Sequence, residues 1–189
     1  GSEMCIRDRH LTAGSLEELV NMQKKYADIL KEDCKMDSIL TGCGNSILAG
    51  YIYHKCSFCS NEGVAVDYSI HTGQVECCFA IHEMIEILGI LIDNACESVL
   101  IQKRADKRIR LEMKEEEKII ISVSNPTEYI PFSEIENMFV CGYSSKGENR
   151  GIGLSRVKEL ANKYEANIKV SNFWYDEENW INFTVEIVK

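Results

Sequence analysis

Gly142-Tyr-Ser-Ser-Lys-Gly-Glu-Asn-Arg-Gly-Ile-Gly-Leu154 is the stretch on which the reading of this chain turns, together with Leu88-Gly-Ile-Leu-Ile-Asp-Asn-Ala-Cys-Glu-Ser98 upstream of it. Gly151 and Gly153 carry no side chain to keep the main chain away from a phosphate. Apolar periodicity resumes at Leu154, which puts both glycines at a helix start, where unpaired N–H groups and the helix dipole favour an anion. Ser144, Ser145, Lys146 and Arg150 add donors and positive charge within a few residues, in a chain whose formal net charge is −9. Local sign opposes global sign, as expected where a polyanion is held.

The second stretch lies within residues 81–104, apolar for most of its length and long enough for a buried helix, with Asp93, Asn94 and Glu97 set into an oily surface. Such polar groups are costly in an apolar setting unless they are bonded or bind something. An Asn carbonyl oxygen is a hard ligand, suited to a magnesium ion that keeps most of its waters and takes its other oxygens from phosphates. For Asp93 a local cap or pairing is the alternative.

Working outward, 189 residues with 45% hydrophobic content suffice for one core plus an appended helical element. The 30 acidic residues outnumber the 21 basic ones and no basic stripe occurs, which excludes a general nucleic-acid binder. No window holds 18 consecutive apolar residues and no signal-peptide pattern opens the chain, so this piece is expected to be soluble and not membrane-inserted. Gly1-Ser2 reads as a cloning scar, and 1–14 as a leader without a usable pattern.

Nine cysteines without a regular framework read as small buried hydrophobes kept reduced in a cytosol. Cys56-Ser-Phe-Cys59 could be half of a zinc site completed by Cys77, Cys78 and His71 or His82, but two matched ligand pairs are missing and packing is the better reading. None of His10, His54, His71 and His82 has a neighbourhood that spells a catalytic triad.

From Ser15, with Glu18 completing a capping box, Leu16, Leu19, Met22 or Gln23, Tyr26 and Leu30 form the stripe of an amphipathic helix reaching about Lys35. A second helix is read over 38–61 from Ile39, Ile47, Leu48, Tyr51, Ile52 and Cys56. Two readings stay open for this pair: helix-on-helix packing, or a dimerisation hairpin. Past Gly63 the texture changes to alternation over 64–70, so a boundary is drawn near 62 and 15–62 is set apart from 63–189. Strands follow at 108–113 and 118–124, then a polar, irregular stretch over 125–150, a helix over 151–164 and strands at 168–171 and 180–188. The order implies an α/β two-layer sandwich with a mixed, largely antiparallel sheet.

With these residues in view, Leu88–Ser98 resembles the N-box of the GHKL ATP-binding superfamily, and Phe139–Leu154 resembles its F-box and second glycine box. In detail the chain is most similar to sensor histidine kinases of the accessory-gene-regulator C type, which respond to peptide signals in Gram-positive bacteria. The likeness takes in Ser38-Ile-Leu-Thr-Gly-Cys-Gly-Asn45, Lys55 and Gly63, and so covers about 15–189.

The resemblance implies a Bergerat-type ATP-binding fold. Asn94 would hold magnesium, 125–150 would form a lid, and Gly151, Gly153 and Leu154 would meet phosphates whose charge Lys146 and Arg150 balance, beside Ser144 and Ser145. It implies ATP as ligand, a second kinase chain as dimer partner, a response regulator as downstream partner, and a cytoplasmic location within a membrane-bound bacterial sensor. Where most relatives have an aspartate-containing first glycine box, this chain has Ser124-Asn125-Pro126-Thr127. Asn125 keeps a carbonyl acceptor for the adenine amine and adds a donor for a ring nitrogen.

Hydrolytic relatives carry a carboxylate one turn before the metal-binding asparagine, where this chain has Ile90. Isoleucine cannot activate water, whereas a neutral imidazole acceptor needs no such help, so phosphoryl transfer is favoured over hydrolysis. His10 lacks the surroundings of the family's acceptor helix, and the acceptor is expected upstream of this piece, which alone should not autophosphorylate. The competing functions are a GHKL-like interaction module without nucleotide binding and a GHKL ATPase.

Overall fold

The computed structural model describes residues 20, 21, 23, 34–73, 79–102, 104–140 and 152–189. Its contacts divide the chain into Gly1–Asp37 and Ser38–Lys189. In the first unit the described residues are helical, and Ser15 and Glu18 lie outside them.

In the second unit, residues 38–43 are helical and stop at Gly44, whose φ of +63° belongs to the left-handed region that glycine enters at no steric cost. Asn45 restarts the chain as N-cap of helix α1 (Ser46–Asn61), its Oδ1 accepting from Leu48 N at 2.8 Å. The single helix expected over 38–61 is therefore two. The cause is a Gly-Asn pair whose stop-and-start chemistry outweighs the surrounding apolar spacing. Leu48, Ala49, Ile52, Cys56 and Cys59 of α1 are buried in the same core as the sheet. The compact unit thus begins at 38, upstream of the change in texture near 62.

Strand β1 (Ala65–His71) leads to the long helix α2 (Ile81–Ile101), then to strands β2 (Arg108–Glu115) and β3 (Lys118–Pro126). The short helix α3 (Phe132–Asn137), helix α4 (Gly153–Lys163) and the hairpin β4 (Asn167–Tyr175) and β5 (Glu178–Val188) complete the chain. The sheet runs β1-β2-β3-β5-β4, with β1 parallel to β2 and every other neighbour antiparallel. Period-two alternation sends Ile109, Leu111, Met113, Ile119, Ile121 and Val123 to the helix side, all buried, while Arg108, Arg110, Ser122 and Thr184 face the other way. This is the expected two-layer α/β sandwich. Two details differ. The sequence Asn125-Pro126 ends a strand rather than opening a loop, and 125–150 contains a helical segment, α3.

Helix α2 organises the helical layer. Along one side Tyr51 abuts Gly89, Lys55 pairs with Asp93, and the free thiol of Cys59 lies against that of Cys96, three successive turns that make α1 and α2 parallel. Along another side Glu83 pairs with Lys163, Glu86 with Arg156, and Ile90 meets Gly153, so α4 runs antiparallel to α2 and begins beside Ile90.

Candidate functional site

The apolar run that makes α2 helical also carries a four-residue stripe, Ile90, Asn94, Ser98 and Gln102. A spacing of four residues advances about 6 Å along the axis and keeps side chains on neighbouring lines of the surface. Ile90 marks the start of α4, because an ideal Cβ built on Gly153 would lie 3.0 Å from Ile90 Cγ2. Ser98 marks the end of β3, because its Oγ accepts from Asn125 Nδ2 at 3.3 Å. Asn94 stands one turn from each. Three of the predicted residues, Asn94, Asn125 and Gly153, are thereby brought to one region, with Leu154 next along the chain. Ser144, Ser145, Lys146, Arg150 and Gly151 lie outside the described residues.

The local chemistry suits a nucleotide. Helix α4 opens at Ile152 without a side-chain cap and without an acidic residue in its first turn. Its first N–H groups thus face no competing carboxylate of their own turn. Ser155 Oγ donates to Ile152 O at 2.8 Å and so occupies a carbonyl rather than an amide. Asn94 is half-buried, and no hydrogen bond of its side chain is recorded among the described residues, which fits an amide oxygen kept for a hard cation. Asn125, 2% exposed, donates through Nδ2 to Ser98 Oγ and to Pro126 O at 3.0 Å. The donor half of this amide, expected to meet a ring nitrogen, is already engaged inside the protein, and the oxygen is left as the acceptor.

Asp93 is explained without a ligand. Both its oxygens accept from Lys55 Nζ, at 2.7 and 2.8 Å, tying α2 to α1 next to Asn94. Burial pulls Lys55 down, but the hydrogen bond and charge of Asp93 outweigh it and hold Lys55 above its usual range. The thiols of Cys59 and Cys96 are part of the same seam, and Cys43 is buried in the same core. Burial pushes Cys43 up to about 12 and raises Cys59 and Cys96. These are protonated packing groups, and among the described residues no cluster of three or more His, Cys, Asp or Glu side chains could hold a metal. Cys77 and Cys78 lie outside the described residues.

Sequence reasoning missed Ser98, Gln102 and the Lys55–Asp93 pair as parts of the site's framework. A signal existed for the first two: polar residues at four-residue steps beyond Asn94 on an otherwise oily helix.

A family model described as a GHKL domain matches residues 79–187. The chain belongs to the GHKL family. The Bacillus subtilis (strain 168) sensor protein CitS is 30% identical to it over 166 residues, which is 86% of this chain and 30% of that protein. The chain therefore spans 30% of the length of that curated relative. Among solved structures, the catalytic domain of histidine kinase ThkA in a nucleotide-free form superposes with a TM-score of 0.58 at 17% identity, covering 77% of this GHKL chain and 91% of ThkA's. Acinetobacter baumannii histidine kinase AdeS gives 0.53 at 11% identity over 93% and 84% of the two chains. Full-length ShkA in complex with AMPPNP gives 0.56 at 12% identity over 93% and 39%. This GHKL domain thus has the fold of histidine-kinase catalytic domains. No described helix is long and apolar enough to cross a membrane.

Proposed function

We propose that this GHKL domain binds Mg-ATP and supplies the γ-phosphoryl group to a histidine of a two-component sensor kinase, for relay to a response regulator. The observation that carries the reading is that Asn94 lies on α2 one turn from Ile90, which meets Gly153 at the uncapped start of α4, and one turn from Ser98, which bonds the buried Asn125. Asn94 would hold the magnesium ion through its amide oxygen, and the ion supplies charge neutralisation on the phosphates when bound. The start of α4, with Gly153 and Leu154, would orient the phosphates through main-chain N–H groups, and Asn125 would accept from the base. Ser144, Ser145, Lys146, Arg150 and Gly151 are proposed on sequence to complete the phosphate site. In the transfer, the lone pair of an imidazole nitrogen forms a bond to the γ-phosphorus, the bond from that phosphorus to its bridging oxygen breaks, and ADP leaves with the oxygen and the electron pair. Ile90 beside Gly153 offers no base for water, which supports transfer over hydrolysis.

Motif similarity to the accessory-gene-regulator C type supports a peptide signal, a quorum-sensing role and a cytoplasmic position in a membrane-bound sensor. On the same similarity, 15–62 belongs to the region that dimerises and carries phosphotransfer, and 63–189 to catalysis. Calorimetric titration with a non-hydrolysable ATP analogue tests the core of the proposal. Binding that strengthens with magnesium is expected, and Asn94→Ala should lose that strengthening. Absence of binding with and without magnesium would remove it.

A further inference from the structure

Building on the nucleotide-site reading, we propose that Lys55 sets the charge of that site: by holding both oxygens of Asp93 it cancels the negative charge next to Asn94, so that a nucleotide's phosphates bind even without magnesium.

Helix α2 carries four acidic side chains, Glu83, Glu86, Asp93 and Glu97, and no lysine or arginine. The helix that presents Asn94 to a polyanion is therefore itself anionic. Three of the four charges are met by a cation from a neighbouring helix: Glu83 by Lys163, Glu86 by Arg156 and Asp93 by Lys55. The last of these pairs lies next to Asn94. Consecutive Cα atoms are about 3.8 Å apart, so the Asp93 carboxylate is within about 10 Å of the Asn94 amide whichever way each side chain points. At that range a charge is felt at low salt and screened at high salt.

Neighbours in sequence point to different sides of a helix, so Asp93 does not share the face of Asn94 and acts on a ligand through its field alone. The cancelling cation is fixed in place. Lys55 Nζ meets the two carboxylate oxygens at 2.7 and 2.8 Å and lies 5.9 Å from the centre of the Tyr51 ring, whose hydroxyl fills the space beside Gly89. Lys55 is 19% exposed and Asp93 47%, so the carboxylate stands partly in solvent, where an uncancelled charge would be felt by a ligand.

A purely structural tie between α1 and α2 would make loss of either partner harmful in the same direction. A charge balance makes the two losses opposite in sign. Lys55→Met leaves one negative charge beside the phosphates, whereas Asp93→Asn leaves one positive charge. Glu97 is unchanged in both variants and drops out of the comparison.

Calorimetric titration of the whole chain with ADP, with and without magnesium and at ~20 mM salt, tests the idea. Lys55→Met should weaken metal-free ADP about three- to tenfold and enlarge the gain that magnesium gives. Asp93→Asn should tighten metal-free ADP by a similar factor and shrink that gain. The double variant Lys55→Met/Asp93→Asn should return to the affinity of the unmodified chain, and ~0.3 M salt should bring all four within about twofold of one another. Weakening by both single variants, or differences that persist in high salt, overturns the inference, because lost packing behaves that way. Equal affinities at low salt overturn it too. If Lys55→Met does not fold, the sign of the Asp93→Asn effect decides alone. Binding by the unmodified chain only when magnesium is present overturns the inference and leaves the nucleotide site standing. Failure of the unmodified chain to bind ADP under either condition overturns the nucleotide-site reading itself, and this inference with it.

Discussion

Gly153 sits so close to Ile90 that a methyl group added to it would lie 3.0 Å from Ile90 Cγ2. That contact anchors the start of α4 one turn from Asn94, and it makes the glycine testable. Gly153→Ala forces the Ile90 side chain back by a few tenths of an ångström, a small strain for a half-buried residue. Fold stability should change by less than about 1 kcal/mol, because better helix propensity offsets the crowding. Affinity for an ATP analogue should fall ~10-fold, as the methyl group keeps phosphate off the main-chain N–H groups. Thermal unfolding and titration read the two effects separately. An unchanged affinity would place the phosphates elsewhere.

Asn94→Ala should dissociate metal dependence from folding. No hydrogen bond of this half-buried side chain is recorded among the described residues, so its loss should cost the fold no more than about 1 kcal/mol. Titrations of the variant should lose the gain in nucleotide affinity that magnesium gives the unmodified chain. If that gain persists, another residue holds the ion.

The parts legible in the sequence were those written in local pattern. The long apolar run announced α2, alternation announced β1, β2, β3 and β5, and glycines ahead of an apolar periodicity announced α4. The break before α1 escaped because Gly44-Asn45 sits inside apolar spacing that taken alone favours one continuous helix. Helix α3 escaped because six residues carry too little periodicity to stand out from a polar stretch. For the site, Asn94, Asn125 and Gly153 were individually visible. Their common framework was not, since the bond between Ser98 and Asn125 spans 27 positions and exists only once β3 pairs beside α2.

Acid should loosen α4 from α2. The hydrogen bond from Lys163, joined by one from Tyr164, holds Glu83 below the usual carboxylate range, and Arg156 does the same for Glu86. A carboxylate depressed in the folded state contributes stability that is fully present above its unfolded pKa of about 4.3 and is lost as pH falls through the folded value. Melting temperature should therefore drop less steeply below pH ~4.3 in a Glu83→Gln/Glu86→Gln double variant than in the unmodified chain. Parallel curves would mean that these ion pairs are too solvated to matter.

Thiol reactivity should separate the buried cysteines of the helical layer from an exposed one. Cys34 is exposed, whereas burial pushes Cys43 up to about 12 and raises Cys59. Since the thiolate is the reacting species, alkylation at pH ~8 should modify Cys43 and Cys59 at least ~100-fold more slowly than Cys34. Mass spectrometry of timed digests gives the site-resolved rates. Comparable rates in the native protein would mean that the helical layer opens readily.

Asn125→Asp offers the sharpest contrast with the relatives that carry aspartate at the corresponding place. Here the side chain's nitrogen donates to Pro126 O at 3.0 Å, and a carboxylate would bring an anionic oxygen against that carbonyl in a position only 2% exposed. Ser98 could still donate its hydroxyl to the carboxylate, but nothing recorded there replaces the lost bond to Pro126, which Gln102 holds from its other side at 3.0 Å. The substitution should therefore destabilise the domain by about 1–3 kcal/mol, the penalty of a buried polar group facing the wrong partner. Denaturant titration should register it as a lower midpoint with an unchanged slope. A variant as stable as the unmodified chain would mean that the β3 end relaxes freely, and that the amide's orientation is a consequence of the asparagine rather than a demand of its surroundings.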